Sequence, residues 1–115
     1  MKLGIVGGRD FSDYKMFEEL LRASIDLTQV TMIVSGGAKG VDSMAKRFAK
    51  QEKLPVKEFF PDYARHQRVA PLVRNSQIVE FSDKVIAFPT QMSSGTYDSI
   101  RKAQKKNNLH AVINV

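Results

Sequence analysis

Three times along this chain a short apolar run breaks into a turn rich in glycine or serine and passes into a stretch of helical period. Lys2 to Val6 closes in Gly7-Gly8-Arg9-Asp10-Phe11. Val30 to Val34 closes in Ser35-Gly36-Gly37-Ala38-Lys39-Gly40-Val41-Asp42, and Lys84 to Phe88 closes in Pro89, with Ser93-Ser94-Gly95-Thr96 following. A strand that turns straight into a helix presents unpaired backbone N–H groups and the positive end of the helix dipole at one point, which makes an anion site. Taken alone, the turn at Ser35–Asp42 also suits an ordinary tight connection. Its recurrence is what favours a ligand.

Between the turns the spacing is helical. Ser12 or Asp13 can cap a helix with Tyr14, Phe17, Leu20, Leu21 and Ile25 on one face. Val41, Met44, Ala45, Phe48 and Ala49 form a second stripe, read as core against a sheet. Further strands are expected at Thr31–Val34, Val56–Phe60, Lys84–Phe88 and Leu109–Val115. A helix from Ala70 or Pro71 through Glu80 is expected to turn Leu72, Val73 and Val79 inward. Asp62 to Val69 shows no strong period, and a last helix is expected over Tyr97–Asn107. Strands and helices alternating at this interval predict an α/β domain spanning residues 1–115, a doubly wound, mainly parallel sheet of about five strands with helices on both faces. In such sheets ligands sit beyond the carboxyl ends of the strands, near the point where strand order reverses, so the three turns should converge on one edge.

Composition narrows the chemistry. With 43% apolar and 26% charged residues the chain is expected to be globular and soluble. It has no cysteine, which removes disulfides, thiolate metal sites and cysteine nucleophiles and fits a cytoplasmic location. No run approaches the ~18 apolar residues of a membrane span. A net charge of +6 favours phosphorylated ligands or polyanions, but the basic residues fall in separate helical runs that read as solvated faces. No turn gives the dinucleotide fingerprint G-x-G-x-x-G, and Lys39 precedes Gly40 where a P-loop needs the reverse order, so neither a conventional NAD site nor a P-loop is expected. Ser35, Asp62 and His66 are the residue types of a hydrolytic triad without a nucleophile elbow around the serine. His110, at the start of the last strand, reads as structural. Asp10 with Asp13, or Asp62 alone, is no complete ligand set, and no metal is expected.

The four spaced motifs Gly7-Gly8-Arg9-Asp10-Phe11, Ser35 through Asp42, Arg74-Asn75 and Ser93-Ser94-Gly95-Thr96 resemble the YspA-like branch of the SLOG superfamily. That superfamily also holds the Lonely Guy phosphoribohydrolases and the DNA-processing protein DprA. The resemblance implies a Rossmann-like fold, a bound nucleotide or nucleotide derivative such as AMP, NAD or an ADP-ribose-like molecule, and a homodimer. Carried over by position, it puts Gly36, Gly37 and Gly40 in a ligand-facing loop and Gly95 and Thr96 in a phosphate-binding turn. Arg74 corresponds to the hydrolases' arginine before the fourth strand. Gly7, Gly8, Arg9, Asp10, Ser35, Lys39, Asp42, Asn75, Ser93 and Ser94 complete the expected set.

The departures bear on catalysis. The hydrolases carry P-G-G-x-G-T-x-x-E, whereas here serines replace glycines and Ser99 stands where the glutamate belongs. Asp98 is adjacent but about 100° away around the helix. A carboxylate is the group expected to assist cleavage of an N-glycosidic bond, so its displacement weakens the enzyme reading. A binding module for a nucleotide-derived ligand, sensing or sequestering it, is therefore the preferred expectation. The alternatives are an N-glycosidase using Arg74 and Asp98 and a DprA-like binder of single-stranded DNA.

Overall fold

The computed structural model describes all residues from Met1 to Val115. Five parallel strands form one sheet: β1 (Lys2–Gly7), β2 (Met32–Ser35), β3 (Val56–Glu58), β4 (Lys84–Phe88) and β5 (Leu109–Val112), in the spatial order β3-β2-β1-β4-β5. Two helices, α1 (Tyr14–Ser24) and α2 (Val41–Gln51), connect the first three strands. The short α3 (Tyr63–His66), α4 (Ala70–Phe81) and α5 (Ser94–Lys106) lead through β4 to β5. The order reverses between β1 and β4, whose register runs from Leu3 opposite Lys84 to Gly7 opposite Phe88.

Strand alternation divides the core. Leu3, Ile5, Ile33, Ile86 and Phe88 pack with Phe17 and Leu21 of α1 and with Val41, Met44 and Phe48 of α2. Their neighbours Val6, Val34, Val85 and Ala87 point the other way, onto Ile78 and Val79 of α4 and Ile100 and Ala103 of α5. Period two on the strands and a three-to-four spacing on the helices thus satisfy both faces of one sheet. Asp13 caps α1 by accepting from the Met16 amide at 3.1 Å, so Ser12 is not the cap, and Ile25 lies just past the helix end.

Several expected boundaries move. β3 stops at Glu58, although the Phe59 amide still donates to the Ser35 carbonyl at 2.9 Å; the Phe59 ring meets Phe81 edge-on at 5.5 Å, while Phe60 stands 61% exposed. β2 is shifted by one residue to end at Ser35, and β5 ends at Val112, although the Ile113 and Val115 amides still reach the Ala87 and Pro89 carbonyls. Asp62–Val69 is one turn of helix capped by Asp62, followed by a 3₁₀ turn. On α4 the buried positions are Ala70, Asn75, Ile78 and Val79, whereas Leu72 is 45% exposed. The helix is rotated so that Arg74-Asn75, not Leu72-Val73, meets the loops at the sheet edge. α5 begins at Ser94 instead of Tyr97, which moves Gly95 and Thr96 from a turn into the helix's first turn.

Candidate nucleotide site at the carboxyl edge

A cleft of about 710 Å³ opens at the carboxyl ends of the strands, over the point where strand order reverses. Its walls come from the three turns. Gly7 to Asp10 follow β1, Gly36, Gly37, Ala38 and Asp42 follow β2, and Ser93 to Thr96 start α5, while Arg74 and Asn75 reach in from α4. Of the residues singled out from sequence, Ser35, Lys39 and Gly40 do not line it. Ser35 is the last, fully buried residue of β2, and its hydroxyl has no hydrogen-bond partner. Gly40 works behind the wall: at φ 71° it ends the loop against the Gly8 and Arg9 backbone, where a Cβ would collide, and the Val41 amide donates to the Gly8 carbonyl at 3.2 Å.

Short polar contacts tie the three turns together. Thr90 donates its hydroxyl to Asp10 at 2.6 Å, and the Gly8 amide donates to the Phe88 carbonyl, both across the reversal point. Arg74 donates from Nη1 to the Gly36 carbonyl at 2.7 Å and from Nε to Asn75 Oδ1 at 3.2 Å. Asn75 in turn donates to the Gly95 carbonyl at 3.2 Å. The pair therefore bridges the second turn to the third. Two of the five guanidinium N–H groups are committed in these bonds, which leaves the others for a ligand.

The N-terminus of α5 lines the same cleft as Arg74. Ser93 exchanges bonds with Thr90, its hydroxyl accepting from the Thr90 amide at 2.8 Å and donating to the Thr90 carbonyl at 2.7 Å, and its own carbonyl accepts from the Thr96 and Tyr97 amides. The amides of Ser94 and Gly95 have no backbone partner, and a Cβ on Gly95 would meet nothing closer than 3.9 Å. Free donors at the positive end of a 13-residue helix and the Arg74 guanidinium line the same cleft, an arrangement suited to an anion.

Asp42 is the buried acid of the site, 8% exposed. It accepts from the Ala38 amide at 3.1 Å and holds the second turn closed. Burial pushes its carboxyl above the ordinary value of 3.8, and the Ala38 amide and the Arg74 charge oppose that push without cancelling it.

The remaining candidates separate. Asp98 does not line the cleft; it accepts from Lys102 at 2.7 Å and from Asn75 at 3.2 Å, which occupies the carboxylate a glycosidase reading would need. Asp62 caps α3 and the Ser35 hydroxyl has no partner, so the Ser35-Asp62-His66 triad is not assembled, and Asp13 is taken up in capping α1. His110 contacts the Ser24 carbonyl at 2.8 Å. No group of three or more His, Cys, Asp or Glu side chains is placed to hold a metal ion. No helix is long and apolar enough to cross a membrane. Sequence reasoning missed Phe60, Tyr63 and Met92, which also line the cleft; the available signal was an aromatic pair flanking Pro61 just after a strand whose carboxyl end faces the same edge.

Comparison with known proteins agrees with this architecture. Residues 1–66, which hold the first two turns, match the YspA, cpYpsA-related SLOG family. This chain is a SLOG protein. The gene 61 protein of Mycobacterium phage D29 is 36% identical to it over 80 residues, 64% of this chain and 64% of the phage protein. Among solved structures, DNA processing protein A from Helicobacter pylori, described for its single-stranded DNA binding mode, superposes with a TM-score of 0.72 at 24% identity. That match covers 95% of this chain and 63% of the other. DprA from Streptococcus pneumoniae gives 0.77 at 22% identity over 96% of this chain and 49% of its own. These two likenesses show a shared fold. The chain spans less than two thirds of the length of each of the three relatives.

Proposed function

We propose that this SLOG domain binds a nucleotide or nucleotide-derived ligand, of the AMP, NAD or ADP-ribose type, in the cleft at the carboxyl edge, and that it senses or sequesters that ligand. The observation that carries the reading is the pairing of free Ser94 and Gly95 amides with Arg74, a guanidinium held in place by Gly36 and Asn75 with donors to spare. A phosphate there meets a helix dipole, two amides and a planar cation at once. The volume of about 710 Å³ falls within the ~300–1,000 Å³ typical of small-molecule sites. The ion pair between Asp98 and Lys102 speaks against the glycosidase alternative.

A thermal-shift screen with AMP, ADP-ribose, NAD and a short single-stranded DNA tests this. A ligand at a hundred times its dissociation constant adds ~2.7 kcal/mol, which raises the midpoint of a domain this size by roughly 10 °C. A shift with a nucleotide that Arg74→Ala removes supports the reading. A shift with DNA alone, falling steeply with salt, replaces it with a DprA-like role. The homodimer belongs to the same proposal: a sedimentation mass of twice 12.9 kDa is expected, and 12.9 kDa itself would contradict it.

A further inference from the structure

Phe60 and Tyr63 are exposed by 61% and 60%, belong to neither hydrophobic cluster and pair with no other ring, yet both line the cleft. Their positions are fixed by their neighbours. Phe60 follows the end of β3, and its ring lies against Gly37, which has φ 72° and no Cβ to push the ring away. Tyr63 opens α3, the single turn that Asp62 caps through the Arg65 amide at 3.1 Å. Two flat apolar faces are thereby held in water at the rim of a site whose other wall is an anion subsite.

We infer that Phe60 and Tyr63 form a nucleobase-stacking platform, so that the cleft takes a base-bearing phosphate and discriminates against sugar phosphates. The inference rests on the proposed phosphate subsite at α5. Every base has a π face that an aromatic side chain can accept without reading its edge, which suits a platform lacking a dedicated hydrogen-bonding partner. The spacing fits as well. Gly37, under the Phe60 ring, follows β2, and β2 stands two strand spacings, roughly 10 Å, from β4, whose turn leads to the free amides. A sugar between base and phosphate bridges such a gap, and a lone phosphate does not. Arg65 and Arg68, just beyond Tyr63, have no ion-pair partner, so a chain of phosphates running past the platform would also meet cations. The base can therefore come from a free nucleotide or from the 5′ end of a single strand.

Calorimetric titration of the whole chain with ribose 5-phosphate, AMP and a 5′-phosphorylated oligodeoxynucleotide tests the platform, using wild type, Phe60→Leu, Tyr63→Leu and Tyr63→Phe. Circular dichroism confirms that each variant is folded. Wild type is expected to bind AMP at least about tenfold more tightly than ribose 5-phosphate, the order of one base stacked on aromatic side chains. Both leucine variants should lose that advantage while keeping their affinity for ribose 5-phosphate, and Tyr63→Phe should retain it. The same pattern with the oligonucleotide and not with AMP would assign the base to a strand end. Equal affinity for ribose 5-phosphate and AMP, or an AMP advantage that survives both leucine variants, overturns the platform and leaves the phosphate subsite standing. Failure of all three probes to bind overturns the subsite and the platform with it.

Discussion

At the scale of single residues the site depends on two groups that hold others in place, Arg74 and Asp42. Arg74→Lys keeps the charge and loses the fork that serves Gly36 and Asn75 together, so it should bind a nucleotide nearly as poorly as Arg74→Ala in a titration. Asp42 titrates with a definite sign. Its carboxyl is raised from 3.8 in the folded chain, so the native state holds its proton more tightly than the unfolded state does. Its contribution to stability is therefore largest at low pH and declines as pH rises above 3.8 toward the raised value. Denaturant melts of Asp42→Asn should lack that decline and still satisfy the Ala38 amide, whereas Asp42→Ala strands the amide and should cost about 1–3 kcal/mol. Arg74-Asn75 was legible in the sequence through its place among four spaced motifs that resemble the SLOG family, with Arg74 matching the arginine that precedes the fourth strand. Phe60 was not, because an aromatic residue at the end of an expected Val56–Phe60 strand reads as core, and nothing local says that Phe59 will take the inward position against Phe81.

At the scale of elements, replacing the glycine at the start of α2 and the glycine at the start of α5 should have opposite effects on stability. Gly40 caps α2 at φ 71° against the Gly8 carbonyl, so Gly40→Ala should lower stability by more than about 1 kcal/mol in a denaturant melt. Gly95 is helical and faces open space, so Gly95→Asp should fold at least as stably as wild type: it removes a helix glycine and puts an acid at the positive end of the dipole, worth roughly 0.3–1 kcal/mol. The same carboxylate occupies the anion subsite, and nucleotide binding should vanish. A variant that loses stability and binding together would contradict this assignment. The start of α5 was misplaced from sequence because Ser93-Ser94-Gly95-Thr96 has turn composition. The helix wins there because the Ser93 carbonyl collects the Thr96 and Tyr97 amides while the Ser93 hydroxyl stays with Thr90.

For the molecule as a whole, the doubly wound architecture was legible because strand and helix periods alternate cleanly from Lys2 to Leu109, and that alternation leaves few ways to cover a parallel sheet. Strand order was not legible, since no residue in β4 announces that it returns to lie beside β1. Charge shows the same limit. Sequence gave a net +6 without placement, and the structure leaves Arg9, Lys39, Arg65 and Arg68 outside every ion pair while Lys102 and Lys106 on α5 are matched by Asp98 and Glu80. These four lie in the turns after β1 and β2 and in and just after α3, while Lys2, Lys15 and Lys84, also outside every ion pair, lie on other elements, so the free charge is not confined to the cleft edge.

The most direct measurement is an amide NMR titration of the 12.9 kDa chain with AMP, the smallest ligand that carries both base and phosphate. The account predicts that the largest shifts fall on the free amides of Ser94 and Gly95, on Gly36 and Gly37, and on the Arg74 side chain. Shifts confined to the lysine face of α5 around Lys102, Lys105 and Lys106, with Ser94 and Gly95 unmoved, would contradict it.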